Sequence, residues 1–316
     1  MSSLLSVKLG PLELKNPILT ASGTFGYGLE FTDFVDLSSL GGICTKGLSL
    51  KPHAGNPPPR ICETPAGMLN AIGLQNIGVE AFLRDKLPKL KALGATVIAN
   101  VWGDLEKDYV TVVRALEGAD GLAALELNIS CPNVEKGGML FGNSPKATAS
   151  LVARVRKATR RPLIVKLSPN APDLVESARS AHESGADILS LVNTFVGMAI
   201  DPETARPRLS FGTGGLSGPA IKPLAVRMVF QVARALPGVP LIGIGGISEL
   251  PDVLEFLAAG ATAVQIGTAN FKDPGVSGRL VEELVRYCAE RQKPVVSLVG
   301  RAERLPAKAD EAGAEG

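Results

Sequence analysis

Short apolar runs rich in β-branched residues alternate along this chain with longer stretches of helical periodicity, and that alternation is what most limits its fold. Repeated βα units build a parallel sheet. The runs lie at Pro17 to Ala21, Gly42 to Lys46, Thr96 to Val101, Leu122 to Asn128, Pro162 to Leu167, Ala186 to Asn193, Pro240 to Ile244 and Ala263 to Gly267. Pairs such as Val97-Ile98 suit strands covered on both faces. Helical patterns follow at Val79 to Leu93, Leu105 to Leu116, Ala147 to Ala158, Ala171 to Ser184, Pro223 to Leu236, Leu250 to Ala259 and Gly275 to Gln292.

Eight units in roughly 270 residues fit a closed (β/α)8 TIM barrel, typically about 250 residues long. An open doubly wound sheet is the alternative, but no G-x-G-x-x-G opens the first βα unit, which disfavours dinucleotide binding of that kind. The 316 residues are read as one domain over 1–300 with a disordered tail over 301–316, which is rich in Ala, Glu, Lys and Gly. Ser6 to Leu9 and Leu12 to Leu14 flank Gly10-Pro11 and predict an N-terminal β-hairpin under the barrel floor. Two connections, His53 to Leu69 and Thr194 to Gly218, are too long for simple turns. In a barrel both are long loops on the C-terminal face, where function resides.

Charge and cysteine usage remove several classes. The 33 basic and 31 acidic residues are dispersed, for a formal net charge of +2, so nucleic-acid binding gains no support. No apolar stretch reaches the roughly 18 residues of a membrane span, and no cleavable leader is evident, so a cytoplasmic protein is expected. Cys44, Cys62, Cys131 and Cys288 are far apart and only His53 and His182 offer imidazole, so no metal site is expected.

The strand ends carry the chemistry. In order they present Ser22, Lys46, Asn100, Asn128, Lys166, Asn193, Gly245-Gly246 and Gly267-Thr268. Any one of these is as readily a helix cap or loop-facing polar group. Closing the barrel brings all of them to one pocket. The glycine turns after the seventh and eighth strands stand where barrels often hold phosphate with backbone N–H groups. A phosphate handle beside amides and two ammonium groups suggests FMN or a sugar phosphate. Cys131 follows the fourth strand in Asn128-Ile129-Ser130-Cys131-Pro132-Asn133, before Glu135-Lys136-Gly137-Gly138, which reads as a lid with a glycine hinge. Most single cysteines are packing residues, and Cys44, Cys62 and Cys288 are read so. A thiol of ordinary pKa near ~8.5 can serve as general base where its surroundings favour the thiolate.

Several stretches resemble the class 1 dihydroorotate dehydrogenases, and more closely the 1B catalytic subunit. They are Lys15-Asn16-Pro17, Gly55-Asn56-Pro57, Met68 to Asn76, Glu126 to Asn133, Val165 to Asn170 and Gly214 to Pro223, and the likeness runs from Ser6 to Pro274. It implies FMN-dependent oxidation of dihydroorotate to orotate in pyrimidine synthesis, with Cys131 as the base. It further implies substrate contacts from Lys46, Asn70, Ala71, Ile72, Gly73, Leu74, Asn128, Asn193 and Thr194. FMN contacts would come from Ser22, Lys46, Gly47, Asn100, Asn128, Lys166 and Val192, with Gly218, Gly245, Gly246, Gly267 and Thr268 around its phosphate.

The 1B resemblance implies a partner subunit carrying FAD and a [2Fe–2S] cluster that passes electrons to NAD, and a heterotetramer built on a homodimer of this chain. A fumarate-linked 1A homodimer is the close alternative. A Schiff-base aldolase using Lys166 or Lys46 and a non-catalytic flavin-binding barrel are more distant ones. Two residues are left as structural questions. Trp102 either faces the flavin edge or packs under the second-strand loop, and Glu126 is expected to form an ion pair with Lys166 inside the barrel.

Overall fold

The computed structural model describes residues 2–130 and 141–302. Eight parallel strands close into a barrel, and they are the eight expected: Ile18–Thr20, Gly42–Cys44, Val97–Val101, Leu122–Asn128, Leu163–Lys166, Ile188–Leu191, Leu241–Ile244 and Ala263–Ile266. They are numbered first to eighth here in chain order. The strands are shorter than the apolar runs, partly because Pro17, Pro162 and Pro240 lack an N–H for the ladder. Each still contributes its carbonyl, accepting from Val264, Leu125 and Leu189 at 2.8, 3.0 and 3.1 Å.

Helices Glu106–Glu117, Pro145–Arg156, Leu174–Glu183, Lys222–Ala235, Leu250–Ala259 and Val276–Glu290 surround the barrel, close to the predicted bounds. The helical stretch after the second strand departs from regularity. Between Val79–Ala81 and Leu87–Ala92 the chain widens into a π turn over Phe82–Lys86. Pro88 explains it, since in a regular helix its ring would clash with the carbonyl four residues back, at Arg84. The barrel is sealed to its helices by fully buried aliphatic side chains such as Val97, Leu125 and Val165. At Gly243 the seal leaves no space: a Cβ there would stand 2.4 Å from the Phe256 ring.

The hairpin Val7–Leu9/Leu12–Leu14 turns Val7, Leu9, Leu12 and Leu14 inward and Lys8 and Glu13 outward. Its Gly10 turn lies against Asp187, Ile188 and Pro240, at the starts of the sixth and seventh strands. The hairpin therefore closes the floor, as predicted.

The two long connections are more ordered than loops. Ile61–Thr64 and Gly67–Asn70 from one, and Phe195–Met198 and Thr213–Ser217 from the other, pair into a four-stranded antiparallel sheet across the barrel mouth. Glycine permits that pairing: a Cβ on Gly215 would fall 2.1 Å from Thr194 Oγ1. Among the described residues no helix is long and apolar enough to cross a membrane.

Candidate functional site

Between the C-terminal ends of the strands and this sheet lies a cavity of about 1780 Å³. Every site residue expected from the sequence lines it except Cys131, which lies outside the described residues together with the expected lid at 134–138.

On the barrel side, Lys166 projects from the end of the fifth strand and its Nζ donates to Ser22 Oγ at 3.3 Å, beyond the first. Asn193 Nδ2 donates to Asn128 Oδ1 at 3.2 Å, and the Asn128 carbonyl accepts from the Tyr109 hydroxyl at 2.7 Å. The Asn193 Oδ1 in turn accepts from the Thr194 backbone at 2.9 Å. A line of mutually fixed amides results. Fixed amides recognise a heterocycle edge better than free ones, because their ordering is complete before binding.

The opposite wall is the segment Asn70 to Leu74. Asn70 Nδ2 donates to the Gly215 carbonyl at 3.2 Å, and Asn56 Nδ2 donates to the Ala71 carbonyl at 2.9 Å. Gly73, at φ +70°, packs so tightly on Asn56 that a Cβ would approach to 2.6 Å. Leu74 is held at φ 58°, a conformation that costs a side-chain-bearing residue free energy and is retained only where its surroundings impose it. Lys46 faces the same space, and its ammonium is held below the ordinary lysine value by burial and then by repulsion from Arg60, opposed by Glu30.

At the far end the chain offers an anion cradle. Gly218, Gly245 and Gly246 all have positive φ, at 97°, 132° and 73°. Their backbones approach one another closely enough that a Cβ on Gly246 would sit 2.9 Å from the Gly218 carbonyl and 2.7 Å from Lys222 Cβ. Among the described residues no backbone carbonyl accepts from the N–H groups of Gly245, Gly246, Gly267 or Thr268. Thr268 Oγ1 donates to Ser217 Oγ at 2.8 Å, tying the eighth strand end to the mouth sheet. Lys222 steadies the cradle from outside, paired with Asp252 and Glu255 at 2.8 Å each.

Beneath the cavity, Glu126 is wholly buried. Its Oε1 accepts from Asn100 Nδ2 at 2.7 Å and Cys44 Sγ at 3.1 Å, and its Oε2 accepts from Ser190 Oγ and Gln265 Nε2 at 2.9 Å each. Burial raises the carboxyl pKa, but the Lys166 charge and the donors from Cys44, Gln265 and Asn100 outweigh it and hold the group below its ordinary value. The ion pair expected with Lys166 is not closed within 4 Å, although the Lys166 charge is the strongest influence lowering the Glu126 pKa. Strand register is the reason: Lys166 lies opposite Asn128, and Glu126 opposite Ile164. The Lys166 backbone thus lies about two residues, ~6.6 Å, further along the barrel, its Nζ meets Ser22 and its charge acts on Glu126 through space. Cys44, read from sequence as packing, is also a donor to this carboxylate, and burial pushes its thiol well above the ordinary range.

Other residues had no assigned role. Asn170 donates to the Thr194 carbonyl at 3.1 Å and accepts from Val196 N at 3.2 Å, anchoring the start of the mouth sheet. Its place in Ser168-Pro169-Asn170, just past the fifth strand, was a usable signal. Arg60, Ser190 and Gln265 carried none. Trp102 is buried under the second-strand loop, its ring 5.4 Å from His53 and close to Gly47, and is not part of the cavity wall.

The sequence model of a family described as dihydroorotate dehydrogenase matches residues 4–287. Among similar curated proteins, the "Dihydroorotate dehydrogenase B (NAD(+)), catalytic subunit" of Geobacter sp. (strain M21) is 54% identical over 300 residues, covering 95% of this chain and 98% of that protein. The protein of the same description from Trichlorobacter lovleyi is 55% identical over 304 residues, covering 96% and 100%. That from Geobacter sulfurreducens is 56% identical over 286 residues, covering 90% and 93%.

Proposed function

The chain belongs to the dihydroorotate dehydrogenase family, and from its site we propose how it oxidises (S)-dihydroorotate to orotate for pyrimidine synthesis with FMN as its cofactor. The observation that carries the reading is one cavity combining an anion cradle, a line of fixed amides and two ammonium groups. These residues fit FMN. The unclaimed N–H groups of Gly245, Gly246, Gly267 and Thr268, with Gly218, suit its phosphate. The buried Asn100 Oδ1, without a partner among the described residues, suits a polar ring edge, beside Ser22, Gly47, Asn128, Lys166 and Val192. When bound, FMN supplies a two-electron acceptor that amino-acid side chains lack.

Lys46 balances the substrate carboxylate, and Asn70 to Leu74, Asn128, Asn193 and Thr194 hold the pyrimidine's carbonyl and N–H groups. This fixes the substrate plane before reaction, which lowers the barrier by orientation alone. The Cys131 thiolate removes the proton from C5 of the substrate. That role rests on the family motif Asn128 to Asn133, since Cys131 lies outside the described residues. Lys166 offsets negative charge beside the cofactor.

Electrons then leave through a second subunit carrying FAD and a [2Fe–2S] cluster, which reduces NAD, in a cytoplasmic heterotetramer built on a dimer of this chain. The relatives' name, catalytic subunit of an NAD(+)-linked enzyme, favours this acceptor over fumarate. Anaerobic stopped-flow mixing with dihydroorotate tests the reading: the purified yellow protein should bleach, and NAD should restore the colour only with the co-expressed partner. A colourless protein that takes up no added FMN refutes it.

A further inference from the structure

Glu126 does not line the cavity and touches neither proposed ligand, yet its carboxylate gathers side chains from four other strands of the barrel. An ionised carboxylate only accepts, so each neighbour must present a donor to it. For Asn100 this settles the amide: Nδ2 points down to Glu126 at 2.7 Å, and Oδ1 is left buried and unpartnered. Asn100 itself lines the cavity. Leaving a buried amide oxygen unpaired is costly unless a ligand completes it.

We propose that Glu126 is a positioning residue for the cofactor: it aims the Asn100 carbonyl oxygen at the polar edge of the bound flavin and places a fixed negative charge below it, partly offsetting Lys166. The inference rests on the reading of the cavity as an FMN site. The charge opposes the extra negative charge that the flavin acquires on reduction, so removing it makes reduction easier. The interaction runs through a buried medium, where screening by water is weak.

The test uses Glu126→Gln and Glu126→Asp in the full-length protein, with FMN affinity measured by fluorescence titration and the two-electron midpoint potential by spectroelectrochemistry. Glu126→Gln should shift the reduction equilibrium about tenfold toward reduced flavin, about 30 mV. Glu126→Asp should keep its potential within about threefold of wild type in the same equilibrium. It should nevertheless bind FMN about tenfold more weakly, because its shorter side chain withdraws from Asn100. A packing role alone gives no such separation by charge. A folded Glu126→Gln protein with wild-type potential overturns the inference. Should that variant fail to fold, wild-type FMN affinity in Glu126→Asp overturns it instead. If wild-type protein binds no FMN, the reading of the cavity fails and this inference with it. If wild type binds FMN and bleaches while the variants match it, only the inference fails.

Discussion

Gly246→Ala probes the cradle where its geometry is tightest. An alanine at φ +73° carries the left-handed penalty of roughly 1–2 kcal/mol, of which the stiffer unfolded chain offsets about 0.4–1 kcal/mol. The new Cβ also meets Lys222 Cβ at 2.7 Å and the Gly218 carbonyl at 2.9 Å. Both belong to backbone or to its first side-chain atom and cannot swing away, so relief costs a further ~1–3 kcal/mol, as for an overpacked core. The sum, about 1.5–4 kcal/mol, lowers Tm by about 2–6 °C for a chain of this size.

Gly238→Ala is the matched control: its φ is +85° and nothing stands within 4 Å of the added Cβ. It should lose only about 1–2 °C and bind FMN normally. In Gly246→Ala the cradle must open by a few tenths of an ångström. Losing one N–H contact to a charged phosphate costs about 1.5–3 kcal/mol, a tenfold or greater loss of affinity. Thermal unfolding of the apoprotein and fluorescence titration with FMN read the two effects separately. Equal melting temperatures for the two variants, or FMN affinity in Gly246→Ala within threefold of wild type, would refute the close-approach argument.

Cys131→Ala should retain FMN while its reduction by dihydroorotate slows by on the order of 10²–10⁴-fold; stopped-flow traces matching wild type would remove Cys131 from the base role. Lys46→Ala should weaken orotate binding about tenfold or more in flavin-difference titrations. Because burial and then Arg60 hold the Lys46 ammonium below its ordinary value, wild-type orotate affinity should begin to fall with rising pH before the usual lysine range near ~10.4. Lys46→Arg should move that loss upward, and identical profiles would count against the carboxylate role.

Lys222 is raised to about 12 by its hydrogen bonds to Asp252 and Glu255. A raised lysine contributes stability that is complete below its unfolded pKa near ~10.4 and disappears as pH climbs through the folded value. Lys222→Met should therefore cost about 0.5–1 kcal/mol at neutral pH and flatten the alkaline limb of the Tm–pH curve; an unchanged limb would exclude the pairing as a stabiliser.

The barrel was legible because its strands are buried on both faces, and that requirement writes continuous apolar runs into the sequence. Leu122–Asn128 was located to the residue, and Leu250–Ala259 likewise, its helix closed by Gly260 at φ +118°. The mouth sheet was not legible. Its strands average four residues, sit among glycines and prolines, and half-bury only alternate positions, as in Ile61–Thr64 and Phe195–Met198. Such segments pair because the barrel brings their ends together, not through strong local preference. The π turn at Phe82–Lys86 had a visible cause in Pro88, but a proline near a helix start can equally mark the first turn.

The candidate site divides along the same physical line. Ser22, Lys46, Asn100, Asn128, Lys166, Asn193 and the two glycine turns were readable because each ends a strand, and barrel closure decides that strand ends meet, whereas Gly47, Asn70 to Leu74, Val192, Thr194 and Gly218 were reached only through the family resemblance. Contacts one layer deeper depend on shear, the stagger of one strand against the next, and no local pattern records it. Glu126 and Gln265 are 139 residues apart and hydrogen-bonded at 2.9 Å. Glu126 and Lys166, both inward-facing on neighbouring strands, are set apart by the Asn128–Lys166 register. An alternation argument correctly sends both charges inward but does not reveal the neutral donors that fill the carboxylate. The consequence bears on the chemistry: with its carboxylate filled by neutral donors, Glu126 leaves the Lys166 ammonium directed at Ser22 and the cavity. A contact ion pair would have spent that charge inside the barrel. The stagger keeps it available at the wall where the cofactor is proposed to lie.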